Sequence, residues 1–145
     1  MAQYIVEMQE EKHEKFYFIR ETESMDIVLL PSKYLMHKKR SHLSPNTLRE
    51  KACALSYYLN YMVQVNLQLE DIYGMAYAKQ HEHFTDFLLW LKTGSQHIRK
   101  EYKKLPSNET CNSYLKEVFQ FYRFLEQEYG QEQSLKVLSG QQIVV

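Results

Sequence analysis

The sequence is short of the residues that break chains. Only four glycines and three prolines occur in 145 residues. An all-β sandwich or barrel needs turn residues at short intervals, so their scarcity argues against that class and for long helices. No run approaches the ~18 consecutive apolar residues of a membrane-crossing helix. The opening stretch Met1-Ala2-Gln3-Tyr4-Ile5-Val6-Glu7 lacks the basic region and apolar run of a secretion signal. A cytoplasmic protein with no membrane partner is therefore expected. Cysteine is sparse too. Cys53 and Cys111 stand far apart in helical patterns and are expected as free thiols. Neither has a second Cys or His at ligand spacing, so neither a metal nor a cofactor is expected. Finally, there is no excess of one charge: 18 Lys and Arg balance 18 Asp and Glu.

The chain does have enough apolar material for a core, 44% of its residues. Its charges, though balanced, are segregated. Residues 33–51 hold Lys33, Lys38, Lys39, Arg40, Arg49 and Lys51 against Glu50 alone. Residues 92–104 hold Lys92, Arg99, Lys100, Lys103 and Lys104 against Glu101 alone. Acids gather near the start, from Glu7 to Asp26, and near the end, at Glu126, Glu128 and Glu132. Either run alone reads as a solvated surface. Two runs beside helix starts point to an anionic partner.

Three segments are expected. Residues 1–30 read as a β-hairpin extension, with strands Tyr4–Met8 and Phe16–Arg20 around a polar stretch and a third short run at Ile27–Leu30. Such a hairpin is marginal alone and must pack on something. Residues 31–130 read as a helical domain. Ser32 is placed to cap a short helix over 33–41, and Ser44-Pro45 opens a longer one to about 63, with Leu48, Ala52, Leu55, Leu59 and Met62 as its apolar stripe. A short turn of helix at Glu70-Asp71-Ile72, a helix over 78–93 and another over 108–129 follow, with a basic loop over 94–107. The stripe of the last helix is Leu115, Val118, Tyr122 and Leu125, and Gly130 stops it. Residues 131–145 read as a linker.

Each long helix has a polar face opposite its stripe. On the first this face is Asn46, Arg49, Cys53, Tyr57 and Asn60; on the last it is Asn112, Ser113, Lys116, Gln120 and Arg123. Both faces begin with short hydrogen-bonding residues: Ser44, Asn46 and Thr47, then Ser107, Asn108 and Thr110. Helix N-termini attract phosphate, and Asn and Arg beyond the first turn reach base edges. Capping is the simpler role for each Ser or Thr taken singly. His81-Glu82-His83 does not converge on a metal, because residues two apart on a helix diverge by ~200°; a solvated face is expected there. Phe119 and Phe124 lie off the main stripe and are expected to meet the hairpin or a partner.

Four stretches carry a family resemblance. Ser44-Pro45-Asn46-Thr47-Leu48-Arg49, with Leu55 and Tyr58, resembles the helix that opens the core-binding domain of tyrosine recombinases, the phage-integrase family. Leu69-Glu70-Asp71-Ile72 looks like the family's Leu-x-Asp-Ile turn. Phe87-Leu88-Leu89-Trp90-Leu91 is similar to its third helix. Thr110-Cys111-Asn112-Ser113-Tyr114-Leu115, then Val118 and Phe121-Tyr122-Arg123-Phe124-Leu125, looks like its fourth. The order is right over residues 33–129; the hairpin lies outside it. Lys51 stands where the family often has an aromatic, and Ala54 where an acid is frequent.

The resemblance implies a mainly α fold, an orthogonal four-helix SAM-like bundle, here with a small N-terminal hairpin. It implies a domain that clamps double-stranded DNA for recombination or integration in a bacterial or phage-type cytoplasm. The candidate DNA-binding residues are Ser44, Asn46, Thr47, Arg49, Lys100, Lys103, Lys104, Thr110, Asn112, Ser113 and Lys116. Family catalysis needs an Arg, a His-x-x-Arg and a nucleophilic Tyr. His37-Lys38-Lys39-Arg40 has Arg three residues after His, but it lies ahead of the first long helix and is wrongly placed for a catalytic centre. No catalytic residue is assigned, and the chain is expected to be a fragment or natural truncation. Its further partners would then be a catalytic domain of the same protein and neighbouring protomers on DNA. The competing expectation is a helical protein-interaction module that binds no nucleic acid. A free-standing helix-turn-helix regulator needs its two helices joined by a turn of 3–4 residues, which the two candidate helices are not.

Overall fold

The computed structural model describes residues 3–94, 105–128 and 135–139. The chain is mainly helical with an antiparallel hairpin at its start, the class expected. The elements run β1 (Tyr4–Glu11), β2 (Glu14–Glu21), α1 (Leu29–Lys39), α2 (Pro45–Val65), α3 (Leu69–Tyr73), α4 (Tyr77–Lys92), α5 (Asn108–Glu128) and a 3-10 turn (Lys136–Ser139). They form two compact units, Met1–Val63 and Gln64–Val145.

In the first unit the hairpin is longer than its apolar runs. Tyr4 pairs with Glu21 and the ladder continues to Glu11 opposite Glu14. Lys12 and His13 make the turn with φ of 51° and 68°, as a two-residue turn of mirror-image type requires. That turn carries neither Gly nor Asn, so composition conceals it. The expected third strand is reduced to one bridge, Ile27 with Arg20, and a bond from Val28 N–H to the Ile19 carbonyl at 2.8 Å. The remainder of that apolar run is the first turn of α1. Pro31 is no obstacle there, because the first-turn amides have no intrahelical acceptor. Ser32 is consequently not the cap. It lies inside α1, and its hydroxyl accepts the Ile19 N–H at 3.2 Å, tying α1 to β2.

The hairpin is also tied to α2. The Asn60 side chain accepts the Tyr4 N–H at 2.7 Å and donates to the Tyr4 carbonyl at 3.1 Å. One side-chain amide thus pairs with one backbone unit as a neighbouring strand would. Ile19 of β2, Tyr34 and Leu35 of α1, and Leu48, Leu55 and Tyr58 of α2 are buried. Of the expected stripe of α2, Leu48, Ala52, Leu55 and Met62 are buried but Leu59 is only half-buried, and the buried face is wider, taking in Ala54, Tyr58, Tyr61 and Lys51.

In the second unit α4 packs on α5 through aromatic edges. Phe84 meets Phe119 at 4.8 Å and Tyr122 at 6.0 Å between centroids, both T-shaped. Such pairs add about 0.5–1.5 kcal/mol beyond the area they bury. Phe119 therefore meets α4, and Phe124 is buried. Tyr73 of α3 sits edge-on to Tyr122 at 5.7 Å, and its hydroxyl donates to Glu126 at 3.2 Å.

A buried glutamine organises the rest. Gln80 is fully buried. Its amide nitrogen donates to the Ile72 carbonyl at 2.9 Å, and its oxygen accepts the Lys136 and Val137 amides at 2.8 and 3.3 Å. Three segments are joined through one side chain. Leu135 and Val137 are buried, so residues 135–139, expected as linker, are packed against α4. At the end of α4, Thr93 is the C-cap and Gly94 follows at φ 74°, a left-handed conformation that glycine adopts without steric cost. No helix among the described residues is long and apolar enough to cross a membrane.

Candidate nucleic-acid interface

Two helix starts were singled out by sequence, and they share one construction. At α2, Ser44 Oγ accepts the Thr47 N–H at 3.2 Å and lies 2.9 Å from Thr47 Oγ1. At α5, Ser107 Oγ accepts the Thr110 N–H at 3.2 Å and lies 3.0 Å from Thr110 Oγ1. Both are Ser-x-x-Thr caps, each worth about 1 kcal/mol. Capping also limits what these turns offer an anion. The Thr47 and Thr110 amides are already held, and Pro45 has no N–H to give. The anion-binding capacity left at each start is thus smaller than a bare helix end provides.

Beyond the cap, α2 presents Asn46 and Arg49, both exposed. The outer face does not continue as expected. Cys53 and Tyr57 are half-buried, and Asn60 is engaged by β1. The hairpin had to pack somewhere, and the start of β1 meets this face at Asn60. What α2 offers a duplex is confined to its first two turns, where exposed Glu50 stands beside Arg49. Burial pushes the Cys53 thiol up, with Arg49 opposing and Glu50 adding to the shift.

On the outer face of α5 Ser113, Lys116 and Arg123 are exposed. Asn112 and Gln120 are half-buried and have interactions within the protein, so they are not simply outward-facing. Glu109 occupies the first turn, where it suits the helix dipole but opposes phosphate. Two positive groups improve the balance. Arg123 extends the Ser113–Lys116 face, and Lys92 at the end of α4 donates to the Asn108 side-chain oxygen. The sequence counts Lys92 as one of a run; its value lies in being delivered to the start of α5. The signal for that contact is tertiary and was not available from spacing. Burial raises the Cys111 thiol, and Lys92 pulls the other way.

Lys100, Lys103 and Lys104 lie outside the described residues. In the other basic segment, Lys38 and Lys39 sit over the Tyr34 and Phe16 rings at 5.6 and 5.1 Å, and Lys51 is buried. Lys33, Arg40 and Arg49 are exposed. Both cysteines are free. No cluster of metal-ligating side chains exists among the described residues. His81 is exposed, but His83 is buried edge-on to Phe84 at 4.8 Å, so the expected solvated face fails at that residue. The ~200° divergence that rules out a shared ion turns His83 into the core instead. Comparison with family models, with curated proteins and with solved structures finds no match.

Proposed function

We propose that this chain binds double-stranded DNA as the non-catalytic, core-binding part of a tyrosine-type site-specific recombinase. The observation that carries the reading is the repeated helix start: two Ser-x-x-Thr caps, each leading into exposed polar and basic side chains. Ser44, Thr47, Ser107 and Thr110 act in this reading as builders of the turn. Asn46, Arg49, Ser113 and Lys116 act as the groups presented to the duplex, with Arg123 added and Asn112 demoted. Arg and Lys neutralise phosphate, and Asn46 and Arg49 have donors for base edges. The SAM-like arrangement and the cytoplasmic setting belong to the same proposal. The residues assigned hold DNA; none of them cuts it.

The test is a binding titration of the chain against attachment-site DNA and against random duplex at several salt concentrations. The attachment-site duplex should bind more tightly, and affinity should fall as salt rises. Arg49→Ala and Lys116→Ala should each weaken binding about 5- to 100-fold. Unchanged affinity in both variants would reject these faces. Complete absence of salt-sensitive binding would favour the alternative, a protein-interaction module, which the exposed leucines Leu29 and Leu89 also support.

A further inference from the structure

Two helix faces carry exposed apolar side chains, and their charges are opposite. On α1, Leu29 is 66% and Met36 39% exposed, with exposed Lys33 and Arg40 between and beyond them. At 100° per residue these four lie within about 60° of arc. On α4, Leu89 is 56% exposed and shares a face with exposed Ala78, Glu82 and Asp86, within about 80°. The Lys79–Glu82 contact at 3.7 Å joins two highly exposed side chains, so it holds Glu82 only weakly.

We propose that the Leu29–Arg40 face of α1 docks, antiparallel, on the Ala78–Leu89 face of α4 in a second copy of this chain. Three observations select that occupant. The first is charge: basic-apolar meets acidic-apolar. The second is register. With a rise of about 1.5 Å per residue, placing Leu29 against Leu89 sets Lys33 within about 2 Å axially of Asp86 and Arg40 within about 6 Å of Glu82, inside the reach of those side chains. The third is the failure of symmetric pairing. Two α1 faces would oppose Lys33 and Arg40 to themselves, and two α4 faces would oppose Glu82 and Asp86. The contact is therefore heterologous, one face against a different one. A single helix face is smaller than the ~800 Å² per partner of a standard interface, so the association is weak, with Kd on the order of 0.1 mM, and salt-sensitive. It does not depend on the DNA-binding reading.

The test uses the whole chain without DNA, in sedimentation velocity from about 10 µM to about 1 mM, a range that brackets such an affinity. The wild type should show a sedimentation coefficient that rises with concentration and falls back in high salt. K33E/R40E makes both faces acidic and E82K/D86K makes both basic. Each variant alone should remain monomeric, and their equimolar mixture should associate. Circular dichroism checks that both fold. As a second measurement, L29C and L89C variants mixed under mild oxidation should give an interchain disulfide beyond the wild-type background. A wild type monomeric throughout, association unaffected by either charge reversal, a mixture that stays monomeric, or no cross-link between the two leucine positions would each overturn the proposal.

Discussion

His83 shows how one side chain can set an acid limit. Burial lowers its pKa from 6.5 to about 4. The unfolded chain therefore binds more protons than the folded one between those values. The stability tied to the neutral ring is complete above about 6.5 and is lost as pH falls to about 4. On linkage this is on the order of 3 kcal/mol. Thermal melts at pH 7 and 4.5 should show the loss, and His83→Gln should flatten the acid limb. An equal pH dependence in wild type and variant would show that other groups set it. The sequence placed His83 beside His81 and Glu82, where a charged triplet reads as surface. The helical angle that separated the two histidines was in hand, but not the side of α4 on which α5 would lie.

At the level of elements, the long helices were legible within a few residues. α2 and α5 announce themselves by a Ser cap and a periodic stripe, and α4 by its stripe and the Thr93-Gly94 end. What was not legible depends on contacts between elements. Residues 27–30 carry β-prone side chains, yet Pro31 fits the first turn of α1 and Ser32 serves β2 instead of capping. The outer face of α2 was read to Asn60 because periodicity cannot see the β1 backbone that engages that residue. Two polar side chains make such contacts testable. Gln80→Leu would strand the Lys136 and Val137 amides that it now satisfies and remove one bond from the Ile72 carbonyl, which keeps the Met75 N–H. Each unsatisfied buried group costs about 1–3 kcal/mol, partly relieved as water enters, so a net loss of about 2–4 kcal/mol is expected. Residues 135–139 should become sensitive to protease under native conditions; protection equal to wild type would show that Leu135 and Val137 hold the segment unaided. Asn60→Ala should cost about 1–2 kcal/mol and speed hydrogen exchange at the Tyr4 amide.

For the whole molecule, the candidate DNA-binding residues are divided between the two units, Arg49 in one and Lys116 in the other. If both contact phosphate, each substitution should reduce the salt slope of binding by about 1, and the double variant by about 2. A double variant no weaker than Arg49→Ala would leave Lys116 without a role. The residue types of the candidate site were legible because caps and outward faces follow from local periodicity. Among those candidates Asn112 is half-buried and interacts within the protein, which depends on packing that periodicity does not carry. The Asn60 contact has a consequence for solution behaviour. Among the described residues only β2 pairs with β1 in the hairpin sheet, so the outer margin of β1 is a template on which another chain could add a strand. The Asn60 amide plugs that margin at Tyr4, and Glu10 and Glu11 charge its far end. Asn60→Ala removes the plug, and beyond its modest cost in stability it should shorten the lag time of thioflavin-positive aggregation in concentrated solution.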